Sequence, residues 1–176
     1  DGPAGAGKST IARRVAREKN FIYVDTGAMY RAMAYYLLKE KADPSDEEEI
    51  SEKCTGAHIT IRYQDGEQVV LLNGENVNPV LRTEEVGNMA SVTSKNKKVR
   101  ERLTQLQKEL AEKNSVVMDG RDIGTCVLPH ADVKVYLTAS AAVRAKRRFD
   151  ELTAKGESCD IQKIEADIVK RDKQDM

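Results

Sequence analysis

Gly2, Gly7, Lys8 and Ser9 stand at the spacing G-x-x-x-x-G-K-[ST] within the opening run Asp1-Gly2-Pro3-Ala4-Gly5-Ala6-Gly7-Lys8-Ser9-Thr10. Residues of these types at this spacing suit the holding of a polyphosphate. Glycines at 2, 5 and 7 let the backbone wrap an anion with its N–H groups pointing inward, and a helix beginning at the end of the loop adds the positive end of its dipole. Lys8 brings a mobile positive charge, and the Ser9 hydroxyl can reach a magnesium ion. The competing reading is a glycine-rich turn that only starts a helix.

Two further clusters carry chemistry. Asp25-Thr26-Gly27 ends a short apolar run, Phe21 to Val24, and Arg31 follows as a natural phosphate fork. Asp119-Gly120-Arg121-Asp122-Ile123-Gly124 ends a second apolar run, Ser115 to Met118, and gathers two carboxylates and an arginine around glycine. In an open α/β sheet, ligands bind beyond the carboxyl ends of strands, so both clusters fall where substrates lie. Asp119 suits the acidic role that orients magnesium or water in phosphate-loop enzymes. The alternatives are an exposed helix-face arginine for Arg31 and a turn built for backbone geometry for the second cluster. Downstream, Arg144, Arg147 and Arg148 share a helical face, which suits a basic lid over a triphosphate or a solvated helix end.

The elements that must position these residues read as α/β. The spacing predicts a helix from Ile11 to Glu18, a buried parallel strand at 21–24, and a helix from Ala28 to about Lys39 with Met29, Ala32, Met33, Tyr36 and Leu37 inward. Ser45 with Glu48 three residues later predicts a capped helix start. From Ala57 the period changes to two: strands at 58–63 and 68–72, turns at Asp65-Gly66 and Asn73-Gly74, and a third short strand at 75–77 make an antiparallel unit. Val99, Leu103, Leu106 and Leu110 stripe another helix, strands follow at 115–118 and 133–137, Ser140 caps a helix, and Ile161, Ile164 and Ile168 mark the last one. The domain reading is a core of 1–52 and 83–176, with a lid at about 144–160, interrupted by an inserted β subdomain at 53–82.

Composition narrows the class. Twenty-nine basic and 29 acidic residues cancel, so no overall field draws the chain to nucleic acid or an anionic membrane. Cys54, Cys126 and Cys159 are odd in number and widely spaced, which favours free thiols and a cytoplasmic setting over disulfides or zinc. No apolar run approaches the ~20 residues of a membrane span. His58 and His130 stand alone, and Asn96-Lys97-Lys98-Val99 lacks the aspartate with which a GTPase reads guanine. A phosphate loop should follow a β-strand; the expectation is that a first strand precedes Asp1 in a longer gene product, and that further chain follows Met176.

With Asp-Gly-Pro-Ala-Gly-Ala-Gly-Lys-Ser at 1–9, Asp-Thr-Gly-Ala-Met-Tyr-Arg at 25–31, Arg-Thr-Glu-Glu-Val at 82–86 and Asp-Gly-Arg-Asp-Ile-Gly-Thr at 119–125, the sequence resembles the bacterial cytidylate kinases along essentially its whole length. The resemblance implies a P-loop fold with a parallel sheet flanked by helices, a monophosphate-binding β insert and a helical lid. It implies transfer of phosphate from ATP to CMP or dCMP with magnesium. Carried over by position, Gly2, Gly5, Ala6, Gly7, Lys8, Ser9 and Thr10 would hold ATP, joined by Arg144 and Arg148, with Ser9 and Asp119 on the metal. Thr26, Arg31, Ser91, Arg100, Arg121, Asp122, Arg171 and Asp175 would hold the acceptor. Arg31 and Arg121 would grip its phosphate, and Ser91, Arg100 and Asp122 would read the cytosine edge. Lys8, Arg121 and Arg147 would stabilise charge during transfer. A monomer is implied. Kinases of UMP, AMP or shikimate, or a nucleotide-binding regulatory module, are the alternatives.

Overall fold

The computed structural model describes residues 1–64 and 66–175, the side chains of 174 and 175 excepted. The chain forms two compact units: Asp1–Ala12 joined by the chain from Gly120 onward, and Arg13–Asp119. Helix α1 (Lys8–Lys19) begins in the one and ends in the other.

In the Arg13–Asp119 unit, β1 (Ile22–Asp25) pairs in parallel with β5 (Val116–Asp119), in a register that sets Asp25 beside Asp119 at the carboxyl ends. Helix α2 (Thr26–Lys39) starts directly at β1 because the Asp25 carboxylate accepts the Ala28 N–H and serves as its cap. Met29, Met33 and Leu37 are fully buried at helical spacing, and each such side chain contributes about 1.5–3 kcal/mol by leaving water. They pack among α4 (Glu84–Thr93), α5 (Lys97–Lys113) and the small sheet. That sheet is antiparallel, β2 (Ile59–Gln64), β3 (Glu67–Leu72) and β4 (Glu75–Asn76) in sequence order. The expected hairpin is therefore present; Asp65, named in its turn, lies outside the described residues.

Two local readings change, and one helix is added. Helix α3 (Glu47–Lys53) is capped by Asp46, whose carboxylate accepts the Glu49 N–H, and not by Ser45. Asp43 captures both the amide and the hydroxyl of Ser45 and so removes it from the competition. Helix α4 carried no reading from the sequence, although Val86, Met89, Ala90 and Thr93 bury at i, i+3, i+4 and i+7. On α5 the buried stripe is Val99, Leu103 and Gln107, with Leu106 and Leu110 only partly covered.

In the other unit, α6 (Ala141–Ala154) packs on α7 (Ile161–Asp175), with Ser140 capping α6 as expected and Gly156 turning the chain at positive φ. A single π-helical turn occupies Ile123–Val127. Residues 133–137 form no strand among the described residues. Asp1 donates to the Val135 carbonyl and accepts from the Leu137 N–H, and Val133, Val135 and Tyr136 are exposed.

Candidate active site

The glycine loop is shaped by close approach. Gly2 has φ +139°, and a Cβ there would stand 2.0 Å from the Leu137 carbonyl oxygen, so a side chain has neither the conformation nor the space. Lys8 Nζ donates to the Pro3 carbonyl at 2.8 Å, and Arg147 reaches the carbonyls of Gly5 and Ala6 at 3.2 and 3.3 Å. Arg144, 4% exposed, donates to the carbonyls of Ala139 and Ala4 and forks onto the Asp172 carboxylate of α7. Basic side chains thus hold the loop by its carbonyl edge, as suits a loop that turns N–H groups to an anion.

The three arginines that share a face of α6 are therefore answered separately. Arg144 meets Asp172, Arg147 meets the loop, and Arg148 turns along its own helix to Glu151. The bidentate arginine holds the Asp172 carboxyl below its ordinary range, and Asp172 in turn raises Arg144. Arg121 lies near the same carboxylate. Burial and the neighbouring Arg171 push its pKa down to about 10, against the pull of Asp172 and Asp122. It stays charged at neutral pH, but desolvated and next to a second cation, which favours an incoming anion. Asp122 precedes the π-helical turn, its carbonyl accepting the Thr125 and Cys126 N–H groups. The side chain of Asp175 lies outside the described residues.

The Arg13–Asp119 unit carries the second group. Thr26, 3% exposed, donates its hydroxyl to the Asp119 carbonyl across the β1–β5 pair, and Tyr23 donates to the Asp119 carboxylate at 3.1 Å. Arg31, one and a half turns into α2, is held by Asp25 through Nη2 at 3.3 Å. Its Nε is buried and has no hydrogen-bond partner among the described residues. Ser91 on α4 and Arg100 on α5 are half-buried in the same unit. Among the described residues no group of three or more His, Cys, Asp or Glu side chains could hold a metal ion, and no helix is long and apolar enough to cross a membrane.

One unit thus carries the phosphate loop and a desolvated arginine, the other an arginine with an unanswered donor at a strand's carboxyl end, and comparison with known proteins shows the family. The cytidylate kinase family model matches residues 1–176. The chain belongs to the cytidylate kinase family. The cytidylate kinase of Caldicellulosiruptor bescii is 50% identical over 176 residues, covering all of this chain and 78% of that protein. Those of Bacillus subtilis and Bacillus velezensis are each 47% identical over 175 residues, 99% of this chain and 78% of theirs.

Within this cytidylate kinase family member, four residues at the two clusters escaped the reading of the sequence. Asp1 accepts the Ile123 and Gly124 N–H groups at 2.9 and 2.8 Å and so fixes the turn that follows Arg121 and Asp122. Asp172 fixes Arg144, Tyr23 fixes Asp119, and Gln68 of β3 binds the backbone of Asp25. Asp1 alone had a local signal, a carboxylate abutting the glycine loop. The others act across 28 to 96 positions of sequence, where periodicity carries no information.

Proposed function

We propose that this protein transfers the γ-phosphoryl group of ATP to CMP or dCMP, giving ADP and CDP or dCDP. The carrying observation is Arg31: a guanidinium braced by Asp25, with a buried Nε donor lacking a partner among the described residues, in a chain whose other chemical motif is a phosphate loop. Gly2, Gly5, Ala6, Gly7, Lys8, Ser9 and Thr10 hold the ATP phosphates, and Arg147 and Arg148 add charge there. Arg144, buried on Asp172, steadies the loop from its carbonyl edge. By family position Arg31 and Arg121 are assigned to the acceptor phosphate, and Thr26, Arg171 and Asp175 to the same substrate.

The chemistry requires positioning more than reactive side chains. An acceptor phosphate oxygen attacks the γ-phosphorus as the bond to the β-phosphate oxygen breaks, and the electron pair leaves with ADP. Lys8 and the arginines neutralise charge that would keep two anions apart. Magnesium belongs to the same reading: the Ser9 hydroxyl and the Asp119 carboxylate, hard oxygen donors, are the groups assigned to it, and such an ion takes its remaining ligands from phosphate and water. When bound, it neutralises phosphate charge. Ser91, Arg100 and Asp122 read the base: cytosine's amino group donates to a carboxylate, where uracil offers a carbonyl that would leave the acceptor unpaired. The division into a kinase core of 1–52 and 83–176, with a lid at about 144–160, and a monophosphate-binding insert at 53–82 belongs to the same reading, as do a monomeric state and a cytoplasmic setting.

The test is ADP release from Mg-ATP with CMP, dCMP, UMP, AMP and shikimate supplied in turn. CMP-dependent release well above the ATP-only control, with UMP much slower, is expected. A folded, ATP-binding protein that releases no ADP with any acceptor would replace this reading with that of a nucleotide-binding module.

A further inference from the structure

The free edge of β1 is closed by side chains of the small sheet. Residues 23 and 25 point their backbone groups to the same edge of a strand. There the Tyr63 hydroxyl donates to the Tyr23 carbonyl at 3.1 Å. The Gln68 amide meets Asp25 at both ends: its Oε1 accepts the Asp25 N–H at 2.8 Å and its Nε2 donates to the Asp25 carbonyl at 3.2 Å. Tyr63 and Gln68 are directly opposed in the β2–β3 ladder, so two neighbouring side chains stand in for a strand. Gln68 is 9% exposed, and its own strand is steadied by Asn78, which bonds the Gln68 carbonyl and the Val70 N–H.

Asp25 passes that restraint on. One carboxylate oxygen caps α2 through Ala28, and the other holds Arg31. A Cβ on Gly27 would stand 3.2 Å from both Arg31 Nη1 and Asp25 Oδ1, so the guanidinium and the carboxylate meet over the first turn of α2 in the space the glycine leaves. We infer that Gln68 is a positioning residue for the acceptor phosphate: by fixing the Asp25 backbone at both its donor and its acceptor, it aims Arg31 and couples the small sheet to the anion grip. This rests on the kinase reading above. An amide is the side chain for the task, because it alone presents a donor and an acceptor side by side without charge. Leucine offers neither, and a glutamate carboxylate would face the Asp25 carbonyl with no proton to donate.

The experiment compares steady-state kinetics of Gln68→Leu, Gln68→Glu and Tyr63→Phe, with CMP and ATP varied in turn. Both Gln68 variants should raise KM for CMP by about 10-fold or more while leaving KM for ATP within about 2-fold, the pattern of a lost acceptor-side interaction. Tyr63→Phe removes the neighbouring bond between sheet and strand but not the Asp25 clasp, and should stay within about 3-fold of the parent for CMP. In an Arg31→Lys background, Gln68→Leu should add less than about 2-fold, because the two act as one unit. Equal shifts for Tyr63→Phe and Gln68→Leu, equal shifts for both substrates, or full additivity with Arg31→Lys would each reduce Gln68 to general support of the sheet and overturn the inference. Gln68→Glu keeps the test open should the leucine variant fail to fold. A parent enzyme that releases no ADP with CMP would overturn the kinase reading and this inference together. An active parent with unaltered variants would overturn the inference alone.

Discussion

Arg31 and Asp172 show how single side chains acquire their properties from what meets them. Arg31 presents a planar fork whose Nη2 is taken by Asp25 and whose Nε is buried without a partner among the described residues. Lysine would keep the charge and lose the fork. Arg31→Lys should therefore raise KM for CMP about 10-fold or more and leave KM for ATP within about 2-fold, as read by varying each substrate. Asp172 sits below its ordinary 3.8 because Arg144 donates to both its oxygens. A carboxylate depressed on folding contributes stability that is fully present above its unfolded value and is lost as pH falls through the folded one. Urea unfolding followed from pH 6 down to about pH 2 should thus show a steeper acid loss for the parent than for Asp172→Asn, which has no proton to take up. Parallel acid limbs would remove the pair from the pH dependence.

At the scale of elements, two helices carry a residue at odds with its place, one by burial and one by helix propensity. Gln107 lies on the buried stripe of α5 at 1% exposure, with Nε2 unpartnered among the described residues. An unsatisfied buried donor costs about 1–3 kcal/mol, so Gln107→Leu, similar in volume, should raise stability by roughly 1 kcal/mol and the melting temperature by about 2–4 °C. Gly27 stands in the first turn of α2, where alanine would favour the helix by up to about 1 kcal/mol. Its added Cβ would press on the guanidinium and carboxylate already in place. Gly27→Ala should leave the melting temperature level or higher while weakening CMP, a separation visible by pairing thermal melts with KM. A loss of stability with unchanged KM would contradict the contact.

For the molecule as a whole, nucleotides are part of the stability. A ligand at about 100 times its Kd stabilises the state that binds it by about 2.7 kcal/mol. For a chain of this length that is a rise of roughly 5–10 °C in melting temperature. ATP and CMP should each produce such a shift when added alone. Arg31→Lys should lose most of the CMP shift and keep the ATP shift. Loss of both would mean that Arg31 supports the fold and not the acceptor.

What the sequence settled by itself was local. Spacing placed the phosphate loop at 2–9, the buried face of α2, the helical period of α7, the period-two sheet and the polar clusters at the ends of β1 and β5, because loops, helices and hairpins are specified by residues within a few positions of one another. It carried the family as well, through motifs whose order and spacing are specific. It misplaced the α3 cap by one residue, since Asp43 draws off Ser45 and leaves the Glu49 N–H to Asp46, and residues this close together offer no pattern that ranks them. The tertiary structure alone decided which partner each charged or polar group meets. Arg144 is drawn onto Asp172, Gln68 stands in for a strand beside Asp25, and Asp1 clamps the turn after Arg121. Hydrogen bonds depend on where chains meet in space, and contacts across tens of residues leave no period in the sequence from which to read them.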